Sequence, residues 1–157
     1  MQRVSFEKQM ISVIEAKDYG SVGVDGDSIN MALLRRIAFQ FLFGAITGNS
    51  ILKFYAGATA GAKTTALAFK YRFGGGDFKA ASADILGAET DVASTGLTLT
   101  AATFDHRQVT VEFEDVDMPN GKPWLTAEID STASVMLAAC GGIGAPRFAG
   151  QTPPTAI

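Results

Sequence analysis

The sequence predicts an all-β protein: an antiparallel β-sandwich or jelly-roll-like barrel of about eight strands with extended N- and C-terminal arms. Three observations predict it. Apolar residues recur at every second position through several runs, which lines one face of a strand. Glycine, asparagine, aspartate and proline clusters separate those runs, and these residues favour turns. No run sustains the 3.6-residue period of a helix.

Taken in order, Met1–Met10 reads as a mobile arm, and Ile11–Ala16 as a short strand. Tyr19–Asn30 carries three glycines, two aspartates and an asparagine, which suits a turn-rich loop or tight hairpin. Met31–Arg36 forms one helical turn or leads straight into the next strand. Ile37, Phe39, Phe41 and Phe43 then alternate with smaller or polar residues up to the Thr47-Gly48-Asn49 turn. Leu52 and Phe54 share one side of the following strand. Gly57–Lys63 is a turn, and Thr65, Leu67, Phe69, Tyr71 and Phe73 mark one long strand after it. Gly74-Gly75-Gly76-Asp77 breaks the sheet, and the alanine-rich Phe78–Ala93 reads as a surface excursion or one short helix.

Leu97, Leu99 and Ala101 alternate with Thr98, Thr100 and Ala102, a half-buried strand. Phe104–Arg107 is a corner. Val109, Val111 and Phe113 alternate with Gln108, Thr110, Glu112 and Glu114. Asp117–Pro123 is a turn, because proline fixes φ and Asn120-Gly121 supplies positive φ. Trp124–Asp130 reads as the return strand of that hairpin, with Leu125, Ala127 and Ile129 facing the core. Val135, Leu137 and Ala139 mark one more strand. Gly141–Pro146 loosens the backbone, and Arg147–Ile157 is an extended tail whose Pro153-Pro154 pair resists joining a ladder. No internal repeat or linker divides the 157 residues, which suit one domain.

Composition narrows the function classes. Net charge is −3, so no global basic field draws the chain to nucleic acid or anionic lipid. Only 18% of the residues are charged, which fits either a surface partly covered by a partner or a neutral exterior rich in alanine, glycine and threonine. The single cysteine, Cys140, sits in an apolar run and reads as a buried small hydrophobe. The first residues lack the apolar core of a signal peptide. Ile37–Ile46 is about half the roughly 20 residues a membrane helix needs. No membrane partner and no nucleic-acid partner are expected.

Each chemical motif falls short of its requirements. Gly57-Ala58-Thr59-Ala60-Gly61-Ala62-Lys63 has three residues between its glycines where a P-loop has four, an alanine before its lysine, and a strand after it. Gly142-Ile143-Gly144 has Arg147 where a dinucleotide fingerprint has its third glycine. Asp25-Gly26-Asp27-Ser28 lacks the converging oxygens of a calcium loop. His106 is the only histidine and reads as part of a corner fixed by hydrogen bonds. Glu112, Glu114, Asp115 and Asp117 form an acidic edge without the aromatic platform of a glycosidase cleft. The residues therefore predict no enzyme, no cofactor and no metal site.

A family resemblance adds to this. Ile51–Ala60 leads to Ala68-Phe69-Lys70-Tyr71-Arg72; Gly96–Thr100, Trp124-Leu125-Thr126 and Ala145-Pro146-Arg147-Phe148-Ala149-Gly150 follow. In that order these stretches resemble the small head proteins of tailed bacteriophages, the decoration or cement class, in which an F-x-Y-R strand and a terminal P-R-[YF]-A segment recur. The resemblance spans about Ile37 to Gly150 and implies no catalytic residue. It implies a virion structural protein, made in the host cytoplasm, on the capsid surface. Its expected partners are the major capsid protein, further copies of itself in a trimer or other small oligomer, and other virion proteins. The two arms would act as clamps, with Phe6, Met10, Arg147, Phe148, Pro153 and Pro154 as interface residues; frayed ends are the alternative. Other readings are a tail-tube, tail-completion or fibre-attachment component, and a carbohydrate-binding sandwich using Trp124, Tyr55 and Tyr71.

Overall fold

The computed structural model of the chain describes residues 8–148 and the backbone of 155–156. Thirteen strands occur among the described residues: β1 Gln9–Asp18, β2 Val24–Asp25, β3 Ser28–Asn30, β4 Leu34–Ile46, β5 Asn49–Gly57, β6 Thr65–Leu67, β7 Phe69–Phe73, β8 Thr90–Val92, β9 Leu97–Thr100, β10 Gln108–Glu114, β11 Trp124–Ser131, β12 Met136–Pro146 and β13 Thr155–Ala156. A one-turn helix α1, Ala101–Phe104, and a 3-10 turn, Asp115–Asp117, complete them. The number exceeds the eight expected because short strands lie inside stretches that read as loops.

Two antiparallel sheets pack as a sandwich, and both are open, so the barrel alternative is not formed. The first sheet runs β1-β12-β4-β10-β7-β8; the second runs β13-β3-β11-β5-β6, with β2 also on β11 and β9 also on β5. Alternation works as the sequence requires. Ile37, Phe39, Phe41 and Phe43 of β4 face inward and are buried, as are Leu52 and Phe54 of β5 and Leu125, Ala127 and Ile129 of β11. Phe54 joins the layers. Its ring lies 5.2 Å from Phe39, 6.0 Å from Phe41, 4.9 Å from Phe69 and 4.9 Å from Phe113, all in the opposite sheet.

Several sequence expectations need correction. The strand expected over Thr65–Phe73 is two strands: β6 pairs with β5 in the second sheet, and β7 pairs with β10 in the first. Leu67 and Phe69 nevertheless both point into the shared core, so the apolar period continues unbroken through the crossing at Ala68. The Asp117–Pro123 turn likewise does not close a hairpin. It carries the chain from β10 in one sheet to β11 in the other, where β11 pairs with β5. Again both strands face one core, so alternation cannot distinguish a hairpin from a crossing.

On β12 the buried set is Met136, Ala138 and Cys140, while Leu137 is exposed. The inner row is therefore Met136, Ala138 and Cys140, and Leu137 and Ala139, which mark the strand in the sequence, lie on the outer row. Gly141–Pro146 continues the strand against β4 rather than loosening it. The N-terminal arm ends earlier than Met10, because Gln9 and Met10 pair with Gly144 and Ile143. Thr155 and Ala156 pair with Ile29 and Ser28, so the tail does contribute two residues to a ladder. Ala101 and Ala102 lie in α1 rather than in the strand. Phe78–Ala93 is an excursion with successive turns that ends in β8.

The turn after β5 depends on Gly57: a Cβ there would lie 2.0 Å from the Ala62 carbonyl oxygen. At the opposite end of the sandwich from Met10, Asp18 accepts hydrogen bonds from the Met136 and Gly20 amides, both at 2.9 Å. These bonds favour its carboxylate, the Met136 bond most, and hold its pKa below the ordinary value.

Phe54→Ala should lower unfolding free energy by about 4 kcal/mol in urea titration, because it empties the centre of the ring cluster. A carboxyl whose folded pKa is depressed stabilises above its unfolded value and loses that effect as pH falls through the folded one. Asp18→Asn should therefore flatten the stability profile below about pH 4, measured by thermal melts across that range.

Candidate interaction surface

The structure brings part of the proposed terminal interface together. Gln9 opposite Gly144 sets the start of β1 beside the end of β12. Met10 is 71% exposed and Phe148 is 67% exposed, unusual values for large apolar side chains. Arg147 is held between them and the body: its amide donates to the Leu33 carbonyl at 3.0 Å, and its guanidinium meets Asp115 at 2.6 Å. The Arg147 side chain also walls a pocket of about 300 Å³ with Met31, Met118, Asn120, Lys122 and Pro123. Met10, Arg147 and Phe148 thus share one end of the sandwich. Phe6, Pro153 and Pro154 lie outside the described residues.

The remaining sequence motifs acquire structural partners. Lys63 of the glycine-rich turn bonds Asp25 at 2.8 Å and Glu128 at 2.9 Å, and lies 5.6 Å from the centre of the Tyr55 ring. Partial burial opposes its charge, but the two carboxylates outweigh that and hold its pKa above the ordinary value. The Gly61 amide donates to the Ser28 hydroxyl at 2.8 Å, and that hydroxyl lies 2.7 Å from Thr126. The turn that resembles a phosphate loop is therefore tied to β3 and β11 and opens no helix. Asp25 and Ser28, from the calcium-like stretch, belong to this same network.

His106 has φ 52° at the corner before β10. Its neighbour Asp105 accepts from the Ile46 amide at 2.8 Å, and the Phe43 amide donates to the Arg107 carbonyl at 3.0 Å. Hydrogen bonds fix this corner, as the sequence suggests. The acidic edge is divided: Asp115 faces Arg147, Asp117 accepts from the Glu114 amide at 2.7 Å, and Glu112 faces Arg36 at 4.0 Å. Among the described residues no group of three or more histidine, cysteine, aspartate or glutamate side chains is placed to hold a metal ion.

A groove of about 1070 Å³ lies where the chain crosses between sheets at Ala68, bordered by Phe69, Lys70, Arg72, Glu89 and Glu112. Its lysine is engaged, since Lys70 meets Glu89 at 3.0 Å and Asp91 at 3.7 Å. The ring platform suggested for sugar binding is split. Tyr55 and Trp124 belong to the second sheet, whereas Tyr71 belongs to the first and packs on Phe73 and Phe104.

The two outer faces differ in chemistry. The second sheet carries Lys53 paired with Asp130 at 3.1 Å beside the Lys63 network. In the first sheet the rows Met10 and Ser12 of β1, Leu137, Ala139, Gly141, Ile143 and Ala145 of β12, and Ala38, Gln40, Leu42 and Gly44 of β4 are uncharged, whereas its other strands carry Glu112, which faces Arg36, and Lys70, which faces Glu89 and Asp91. Sequence reasoning missed this face. The available signal was the eleven residues of β12, which contain no charged side chain and no polar group except the Cys140 thiol.

No helix among the described residues is long and apolar enough to cross a membrane. Comparison with protein-family models, with curated proteins and with solved structures finds no match for this chain.

Cys140 is buried on the inner face of β12, and that burial pushes its thiol pKa up. The folded protein should resist a water-soluble thiol reagent at neutral pH and react with one equivalent after denaturation, measured by absorbance of the released chromophore.

Proposed function

We propose that this protein is a virion structural protein that decorates an icosahedral phage capsid and stabilises it by bridging major capsid protein subunits. The observation that carries the reading is the shared position of Met10 and Phe148, two large apolar side chains exposed at the same end of a sandwich with a dense aromatic core. Gln9 and Gly144 pair at that end, next to Lys8 and shortly before Phe148, the limits of the described stretch 8–148. The phage-head motifs support the reading, since Pro146-Arg147-Phe148-Ala149 includes this end.

The chemistry suits attachment. Arg147 ties the segment to the body through Asp115 and Leu33, which leaves Phe148 projecting from an anchored base. An apolar side chain on a fixed base loses less freedom on binding than one on a loose tail. Several such contacts on a repeating lattice add, so a modest single affinity gives firm attachment to a shell. The protein resides on the head exterior and touches more than one capsid subunit there.

Cryo-microscopy of intact particles tests the reading directly by locating the chain. Phe148→Ala should lower occupancy on purified heads, with apparent affinity reduced at least about tenfold, equivalent to about 1.4 kcal/mol per site. Heads stripped of the protein should lose integrity at a lower temperature. Stripped heads that survive heating equally well, or density for the chain on the tail alone, would reject the role.

A further inference from the structure

We propose that Asn120 is a modification site: the Gly121 backbone nitrogen attacks its side-chain amide, ammonia leaves, and aspartate and isoaspartate replace it at the rim of the Arg147 pocket. The proposal does not depend on the capsid reading. It begins from the turn between β10 and β11. The chain has three asparagines, and only Asn120 precedes a glycine. Both residues are exposed at the centre of a turn that one bond closes, from the Lys122 amide to the Pro119 carbonyl at 3.0 Å. Gly121 has φ 74°, and a Cβ there would meet nothing within 4 Å. Among the described residues, no hydrogen bond is made by the Asn120 side chain or by the Gly121 N–H.

The step balances with water as its only co-reactant. The Gly121 N–H gives its proton to a base in solution, the nitrogen bonds to the Asn120 Cγ, and the Cγ–Nδ2 bond breaks as ammonia takes up a proton. The five-membered imide so formed then adds one water at either carbonyl carbon. Water at Cγ restores the main chain and leaves aspartate. Water at the main-chain carbonyl carbon of residue 120 leaves the chain running through Cγ, as isoaspartate. Such a reaction between neighbouring groups needs no encounter, so its rate is set by how freely the two can meet. Glycine in the second position gives the attacking nitrogen the most rotational freedom.

The structure separates this pair from the other candidates. Asp25-Gly26 is the other pair able to close such a ring, by loss of water. Its Gly26 N–H donates to the Ala127 carbonyl at 2.8 Å, and Asp25 is held by Lys63 at 2.8 Å. The Asn30 side-chain oxygen accepts from the Ala32 amide at 3.0 Å, and Asn49 lies in β5 before the buried Ser50. Charge favours the same outcome. The charged residues that wall the pocket beside Asn120 are Arg147, Lys122 and Asp115, two cations against one carboxylate. A positive site favours both the deprotonated nitrogen and the oxyanion that forms as it attacks. The product carboxylate then evens the count, in the pocket that also holds the Arg147–Asp115 ion pair. Isoaspartate also lengthens the backbone in a turn where the chain changes sheets.

Incubation of the full-length chain at mildly alkaline pH, followed by peptide mass mapping, tests this. Asn120 should take on the mass of an acid while Asn30 and Asn49 remain amides, and an isoaspartate-specific methyltransferase should label the peptide that carries residue 120. Because one turn hydrogen bond is all that has to open, the rate in the folded chain should lie within about tenfold of that in the urea-unfolded chain. Asn120→Gln, whose longer side chain cannot close the five-membered ring, should abolish the label. Melting of this variant should match the wild type, which separates a blocked reaction from a lost fold. An Asn120 that keeps its amide in the folded chain while the unfolded chain converts overturns the proposal, as does a label on the folded chain that Asn120→Gln leaves in place.

Discussion

The sandwich depends on one ring crossing between its layers. Phe54 stands on the second sheet and touches Phe39, Phe41, Phe69 and Phe113 of the first. An aromatic side chain buries roughly 150 to 250 Å² and favours tilted or edge contacts, which the interplanar angles of 52° to 81° supply here. Neither sheet alone can bury these rings. The chain must therefore cross between layers, and it does so at most joins between successive strands, Ala68 and the β10–β11 turn among them. The groove at Ala68 lies at one such crossing: β10 pairs with β7 only from Val109 to Val111, while its pairing with β4 continues to Glu114, and β6 before Ala68 pairs with β5 in the other sheet.

With the core closed, the two outer faces have different work. On the second sheet, Lys53, Lys63, Asp25, Glu128 and Asp130 answer one another, with Ser28 and Thr126 bonded beneath them. Such a face is complete in water; its exposed ion pairs contribute little to stability but keep the surface hydrated. The first sheet offers no such pairs between Ala38 and Gly44 or between Leu137 and Ala145. Apolar area left in water is the ordinary driving force of protein association. The sandwich thus divides into a solvated face, an uncovered face, and an end where Met10 and Phe148 protrude.

Much of the fold was legible in the chain, and the reason is local. A period of two follows from backbone geometry alone, so Phe39, Phe41 and Phe43, or Leu125, Ala127 and Ile129, declare both strand and inner face. Met10 and Phe148 are both exposed, but Met10 belongs to β1 rather than to an arm before it, and the sequence pattern alone does not show that. The uncovered face was not legible. On β12 both alternate sets are apolar, so the pattern cannot say which set is inside, and Leu137 reads as well as Met136. The pairing with β4, with its shift between Met136 and Ala138, makes that choice.

By itself the sequence determined that this chain forms strands, where most of them turn, and which side chains leave water wherever apolar and polar residues alternate, because those properties depend on neighbours a few residues away. Only the tertiary structure decided which strands share a sheet, where the chain changes layers, and which apolar row remains outside. Strands in either sheet point inward toward one core, so they carry the same alternation; their assignment to layers rests on hydrogen bonds between residues far apart in the chain.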